Sequence, residues 1–134
     1  MKDHDLHTWS KYLGKRDFKK LLHNVENAKN NGVNNKIIIL SGPGKNGKTT
    51  LLNEIMFYLN MENCYEYDIS VDDYYNNITR KNVIIHGGIE NVNEDLLMEL
   101  VNNDVNIFCD TNYLDLIEPN IFSISSIINM KHVF

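Results

Sequence analysis

The sequence predicts an α/β domain built on a mainly parallel sheet flanked by helices. Three observations lead there. Short β-branched apolar runs recur along the chain, amphipathic runs at helical spacing separate them, and a glycine-rich loop joins one strand to one helix. The 134 residues are 43% hydrophobic and 23% charged, which suits one packed core rather than an extended disordered chain. No glycine-, serine- or proline-rich linker divides them. The reading is a single compact unit, with residues 1–35 as an N-terminal helical segment and residues 36–134 as the core.

The elements follow in order. Residues 16–30 place Phe18, Leu21, Leu22, Val25 and Ala28 on one helical face, with Lys19, Lys20, Glu26 and Lys29 opposite. Asparagines and Gly32 end that helix. Residues 36–41 (Lys-Ile-Ile-Ile-Leu-Ser) read as a strand buried on both faces. Residues 49–60 form a second helix striped with Leu51, Leu52, Ile55, Met56 and Leu59. Further strands are expected over residues 64–69, 82–86, 105–109 and 121–128. A helix over residues 92–102 carries Leu96, Leu97, Leu100 and Val101.

Composition narrows the function. The formal net charge is −5 and the only arginines are Arg16 and Arg80, which argues against a broadly basic nucleic-acid coat. Lys11, Lys15, Arg16, Lys19 and Lys20 form a local basic cluster, read first as a solvated helix face. Cys64 and Cys109 lack metal-ligand or CxxC spacing, so reduced thiols are expected. No run of about 18 apolar residues offers a membrane span, and the first residues hold no secretory h-region. An intracellular place, cytoplasm or host nucleus, is the expectation. The 21 asparagines read as the codon bias of an AT-rich genome.

The strongest motif is Gly42-Pro43-Gly44-Lys45-Asn46-Gly47-Lys48-Thr49, which satisfies G-x-x-x-x-G-K-[ST] between an apolar strand and an apolar-striped helix. Glycines let successive backbone N–H groups turn toward phosphate oxygens, and the helix N-terminus favours the negative charge. The loop through Thr50 is therefore a nucleotide-phosphate cradle. Lys48 is expected at the β- and γ-phosphates and the Thr49 hydroxyl at Mg²⁺, with ATP as the nucleotide. The chain is accordingly expected to be a P-loop NTPase.

The wording around the loop, Gly-Pro-Gly-Lys-Asn-Gly-Lys-Thr-Thr-Leu-Leu-Asn over residues 42–53, resembles the Walker A segment of superfamily 3 helicases of the poxvirus, giant-virus and phage primase-helicase type. The likeness spans about residues 36–120. Val105-Asn-Ile-Phe-Cys-Asp-Thr-Asn112 resembles motif C, which implies Asn112 as the polar sensor of the γ-phosphate. The family implies Mg²⁺-dependent ATP hydrolysis in viral replication and a homo-oligomeric ring. Two features depart from its pattern. The motif B strand ends in His86-Gly87-Gly88 rather than an acid, leaving Glu90 and Asp110 as rival carboxylates, with Glu90 preferred. The basic segment between motifs B and C is missing, and no arginine follows Arg80. Nucleic acid is thus expected to bind weakly to the chain alone.

Two other classes stay open: a small nucleoside or nucleotide kinase, and an ATP-binding scaffold without turnover. His86 reads as a hydrogen-bonded structural histidine, with a place near the γ-phosphate as its alternative. Asp72-Asp73 beside Tyr74-Tyr75 reads as an acidic helix start, and His4 and His7 lack companion ligands. Trp9, Tyr12 and Leu13 are expected to pack at the N-terminal helix.

Overall fold

The computed structural model describes residues 9–10, 13–42, 47–68 and 81–130. The elements are α1 (Lys15–Lys29), β1 (Ile37–Ser41), α2 (Lys48–Tyr58), β2 (Cys64–Asp68), β3 (Asn82–His86), α3 (Glu94–Asn102), β4 (Asn106–Thr111), α4 (Pro119–Ser123) and β5 (Ser125–Asn129). The five strands form one sheet in the order β2-β3-β4-β1-β5, and every neighbouring pair is parallel. All carboxyl ends therefore share one edge, where loops gather and ligands bind in open α/β sheets.

Period-two alternation in the strands builds two apolar layers. Ile38 and Leu40 of β1, Ile84 of β3 and Phe108 of β4 face Leu21 and Val25 of α1 and Leu51, Leu52 and Ile55 of α2. Ile37, Ile39, Val83, Ile85, Ile107 and Cys109 face the other way, toward Leu97 and Leu100 of α3 and Ile121 of α4. Because both faces are covered, the central strands carry no polar alternation, as their sequences indicated. Trp9 and Leu13 are buried in the first layer, and Leu13 makes an isolated antiparallel bridge to Met130.

One expected element divides. The strand read over residues 121–128 begins instead as α4, and only Ser125–Asn129 is extended. Pro119 opens the helix with its fixed φ, and the Ile121 and Phe122 amides both donate to Glu118 O. The helix expected over residues 92–102 starts at Glu94, where the Asn93 side chain accepts from the Asp95 amide at 2.7 Å.

The asparagines have structural work beyond composition. Asn31 (φ 67°) and Asn60 (φ 73°) take a positive φ just past α1 and α2, where glycine is the usual choice. At the amino edge of the sheet, buried Asn106 is the hub of a side-chain network. Its Nδ2 donates to Gly32 O at 2.9 Å and to Asn82 Oδ1 at 3.2 Å, while its Oδ1 accepts from the Asn34 amide at 2.8 Å. The network ties the α1–β1 connection to β3 and β4. Asn106→Leu strands those partners in an apolar setting and is expected to cost about 2–3 kcal/mol, read as a lower midpoint in urea with unchanged slope.

Candidate functional site

The glycine-rich loop leaves β1 at the carboxyl edge and enters α2 through Gly47. Gly47 has φ 90°, a left-handed conformation that suits glycine. Pro43, Gly44, Lys45 and Asn46 lie outside the described residues, as do His4, His7, Lys11, Tyr12, Asp72, Asp73, Tyr74 and Tyr75. Gly42 is held by its amide, which donates to Thr111 O at 3.3 Å. Thr49 and Thr50 are exposed on the first turn of α2, with Thr49 next to Lys48. This leaves the hydroxyl that a P-loop threonine offers to a metal open to solvent.

Lys48 is only 5% exposed, and its Nζ donates to Gly42 O at 2.8 Å. Burial lowers the pKa of this ammonium, while the negative charges of Asp110 and Glu90 act to raise it. Lys48, Asp110 and Glu90 thus form one electrostatic unit. They come from α2, from β4 and from a 3₁₀ turn at Ile89–Asn91 after β3.

The strand order decides how the two carboxylates reach this point. β4 lies between β1 and β3, so Asn82–His86 runs outside the strand that carries Asp110. Glu90 returns to the end of β4 through the Gly87-Gly88 bend. Gly88 has φ 95°, and a Cβ there would stand 2.5 Å from Glu90 Oε2. The conformation requires glycine, and a Cβ would in addition displace the Glu90 carboxylate. The Gly88 amide donates to Asp110 Oδ1 at 3.1 Å, and the Thr111 hydroxyl donates to Glu90 Oε1 at 2.5 Å.

Asp110 is half-buried, and burial raises its pKa above the ordinary carboxylate value. The Gly88 hydrogen bond, His86 and Lys48 oppose that rise, and Glu90 adds to it. His86 Nε2 lies 2.9 Å from Glu66 Oε2 on β2, a charge-pair distance. The atom is buried, and the two groups lack the alignment of a hydrogen bond. The hydrogen-bonded histidine expected from sequence is therefore a contact across β2 and β3. Burial also pushes the Cys109 thiol well up, which marks it as packing; Cys64 is likewise buried, outside any disulfide, with its thiol against Met56 O.

Asn112 is exposed beyond the end of β4. The β4 residue that meets Glu90 is its neighbour Thr111, which is fully buried. Thr111 also accepts from the Tyr113 amide at 3.0 Å, and its carbonyl holds Gly42. Sequence reasoning passed over it. The available signal was a hydroxyl just past the apolar run Ile107–Cys109 and Asp110, in register with Ser41 of β1.

Solved structures of AAA+ P-loop ATPases share the fold. The P216G mutant of Thermotoga maritima RuvB aligns with TM-score 0.67 and 21% identity over 90% of this chain and 47% of that one. AMPPCP-bound DnaA from Aquifex aeolicus aligns with TM-score 0.63 and 10% identity over 87% and 46%. C. elegans PCH-2 gives TM-score 0.61 and 15% identity over 89% and 43%. The chain thus spans less than half the length of each. No protein-family model matches the sequence, and no curated protein does either. The fold is that of the P-loop NTPases. Among the described residues no helix is long and apolar enough to cross a membrane.

The raised pKa of Asp110 has a thermodynamic consequence. The native carboxyl holds its proton more tightly than the unfolded chain, so the stability it contributes is complete below the ordinary carboxylate range. That contribution is lost as pH rises through the native value. Asp110→Asn keeps an acceptor for the Gly88 amide and removes the buried charge. In Mg²⁺-free buffer without nucleotide the variant is expected to melt higher than the parent at neutral pH. Thermal melts across pH should show that gap closing as the solution is acidified.

Proposed function

We propose that the chain binds ATP with Mg²⁺ and hydrolyses it, as a reduced core of the superfamily 3 helicase type acting in viral nucleic-acid replication. The observation that carries the reading is the convergence of Lys48, Asp110 and Glu90 where the glycine-rich loop meets α2. The helicase type rests on the Walker A wording of residues 42–53, and the fold agrees with it at the coarser level. The loop amides of Gly42 to Thr49 would surround the phosphates. Lys48 would exchange the Gly42 carbonyl for β- and γ-phosphate oxygens, trading a neutral acceptor for anionic ones.

The donor set fits a hard divalent cation, with a solvent-facing Thr49 hydroxyl and two carboxylates in the electrostatic reach of Lys48. Thr49 would hold Mg²⁺, aided by Asp110. Bound there, Mg²⁺ would neutralise charge on the β- and γ-oxygens. Glu90 would polarise the attacking water and accept its proton. Thr111 would hold that carboxylate toward the loop, and so take the sensing place that the family likeness gives to Asn112. Among the described residues Lys48 is the one lysine or arginine acting on Asp110. The ring implied by the likeness would bring a further cation from a neighbouring copy.

Lys48→Ala removes a charged donor to phosphate. Titration with ATP should show affinity lower by about 1.5–3 kcal/mol, roughly 10- to 150-fold, with phosphate release abolished. Unchanged affinity and rate would defeat the P-loop assignment. Glu90→Gln should stop phosphate release and leave ATP binding nearly intact, whereas Asp110→Asn should keep measurable turnover. Loss of release in Asp110→Asn alone would make Asp110 the water-polarising acid. Release retained in both variants would leave no role for either carboxylate.

A further inference from the structure

The charge on α1 is opposite to that of the chain. The helix holds five cations and two carboxylates, a net of +3 in a chain of −5. Asp17 points toward the sheet, where it accepts from the Asn129 amide at 3.3 Å and lies 3.6 Å from Lys20. Lys20 itself donates to Ile127 O at 2.9 Å. Glu26, near the far end, accepts from the Tyr58 hydroxyl. Both carboxylates of α1 are thus engaged in holding the helix to the body. Lys29 is also occupied, with its Nζ donating to Tyr58 O.

What remains is Lys15, Arg16 and Lys19. All three are exposed and make no ion pair or hydrogen bond with any described residue. Lys15, Lys19 and exposed His23 follow one another at four-residue steps, a rise of about 6 Å each along one side of the helix. A rigid helix therefore presents Lys15 and Lys19 in line with Arg16 beside them, paired by no described residue, while its apolar face (Leu21, Val25, Ala28) is sealed in the core. Sequence reasoning read this cluster as a solvated face, yet solvation alone gives no reason for both anions to turn away.

We propose that this outward face of α1 binds the phosphate backbone of nucleic acid, independently of base sequence. A repeating anion suits a row of cations backed by a fixed helix. An anionic membrane suits it less, because surface helices bind by inserting an apolar face, and here that face is already buried. The binding is weak, since Lys15, Arg16 and Lys19 neutralise about three phosphates. It does not depend on the nucleotide site.

The test is fluorescence anisotropy with labelled DNA of about 30 base pairs, using the whole chain and its K15E/R16E/K19E variant. Three phosphate contacts give a salt slope of about −2.7 on a log–log plot. Affinity should therefore fall roughly 40-fold between 50 and 200 mM salt. The variant should lose at least about tenfold in affinity at the lower salt, with its thermal melt unchanged. Lys48→Ala should bind DNA like the parent, which separates this surface from the P-loop. Parent-like binding by the triple variant, or affinity insensitive to salt, overturns the proposal. Equal affinity for phosphatidylserine vesicles does so too. So does a change of oligomeric state in the variant with DNA affinity unaltered, which would assign the face to a second copy.

Discussion

Burying an ammonium is costly, and anions that face it reduce the cost; that constraint organises the carboxyl edge of this sheet. Lys48 is almost wholly enclosed at the start of α2, and the desolvation it suffers is offset in part by Asp110 and Glu90. Neither acid lies on its own element. The fold has to deliver one from the strand beside β1 and one from beyond the next strand. The parallel order does this by placing β4 between β1 and β3. An antiparallel partner at either position would send its end to the opposite edge.

The same constraint explains why β3 can end without an acid. After His86 the chain bends through Gly87 and Gly88, both at positive φ, and a short 3₁₀ turn carries Glu90 back over the Gly88 Cα. Three hydrogen bonds then fasten the arrangement. The Gly88 amide holds Asp110, the Thr111 hydroxyl holds Glu90, and the Thr111 carbonyl holds the Gly42 amide. Thr111 thereby joins the phosphate loop to a carboxylate, and a shift of either is felt by the other. A side chain at position 88 would strain the backbone and push the Glu90 carboxylate off its place.

Much of this was legible in the sequence because apolar periodicity and the loop motif both encode local geometry. The strands at Ile37–Ser41 and Asn82–His86 and the helices α1 and α2 lie within a residue or two of where spacing placed them. The division of residues 119–129 into a helix and a strand was not legible from apolar content. Ile121, Ile124 and Ile128 suit a helix while Phe122, Ile124 and Ile128 suit a strand, and Pro119 with two amides on Glu118 O settles the matter locally. At the site the residue types were evident and their partners were not. Thr111 and Glu90 are 21 positions apart, and no periodicity within one element reports a contact made across β3 and β4.

The opposite edge follows a different logic. The carboxyl edge keeps charge exposed to one another across a few side chains, whereas the amino edge is closed by neutral amides around Asn106. Asparagine suits that place because one side chain donates and accepts at once, and so satisfies backbone groups on both sides without burying charge. Its tolerance of positive φ lets the same residue type end α1 and α2. A composition bias toward asparagine is therefore absorbed where a helix stops or a sheet edge is sealed. The ionic chemistry is left to the edge where the phosphate loop begins. α1 spans both regions, with Asp17 at the last residue of β5 and Asn24 and Asn27 against Asn34 near the start of β1. Its cationic end consequently lies at the carboxyl edge, on the side of the molecule that carries the loop.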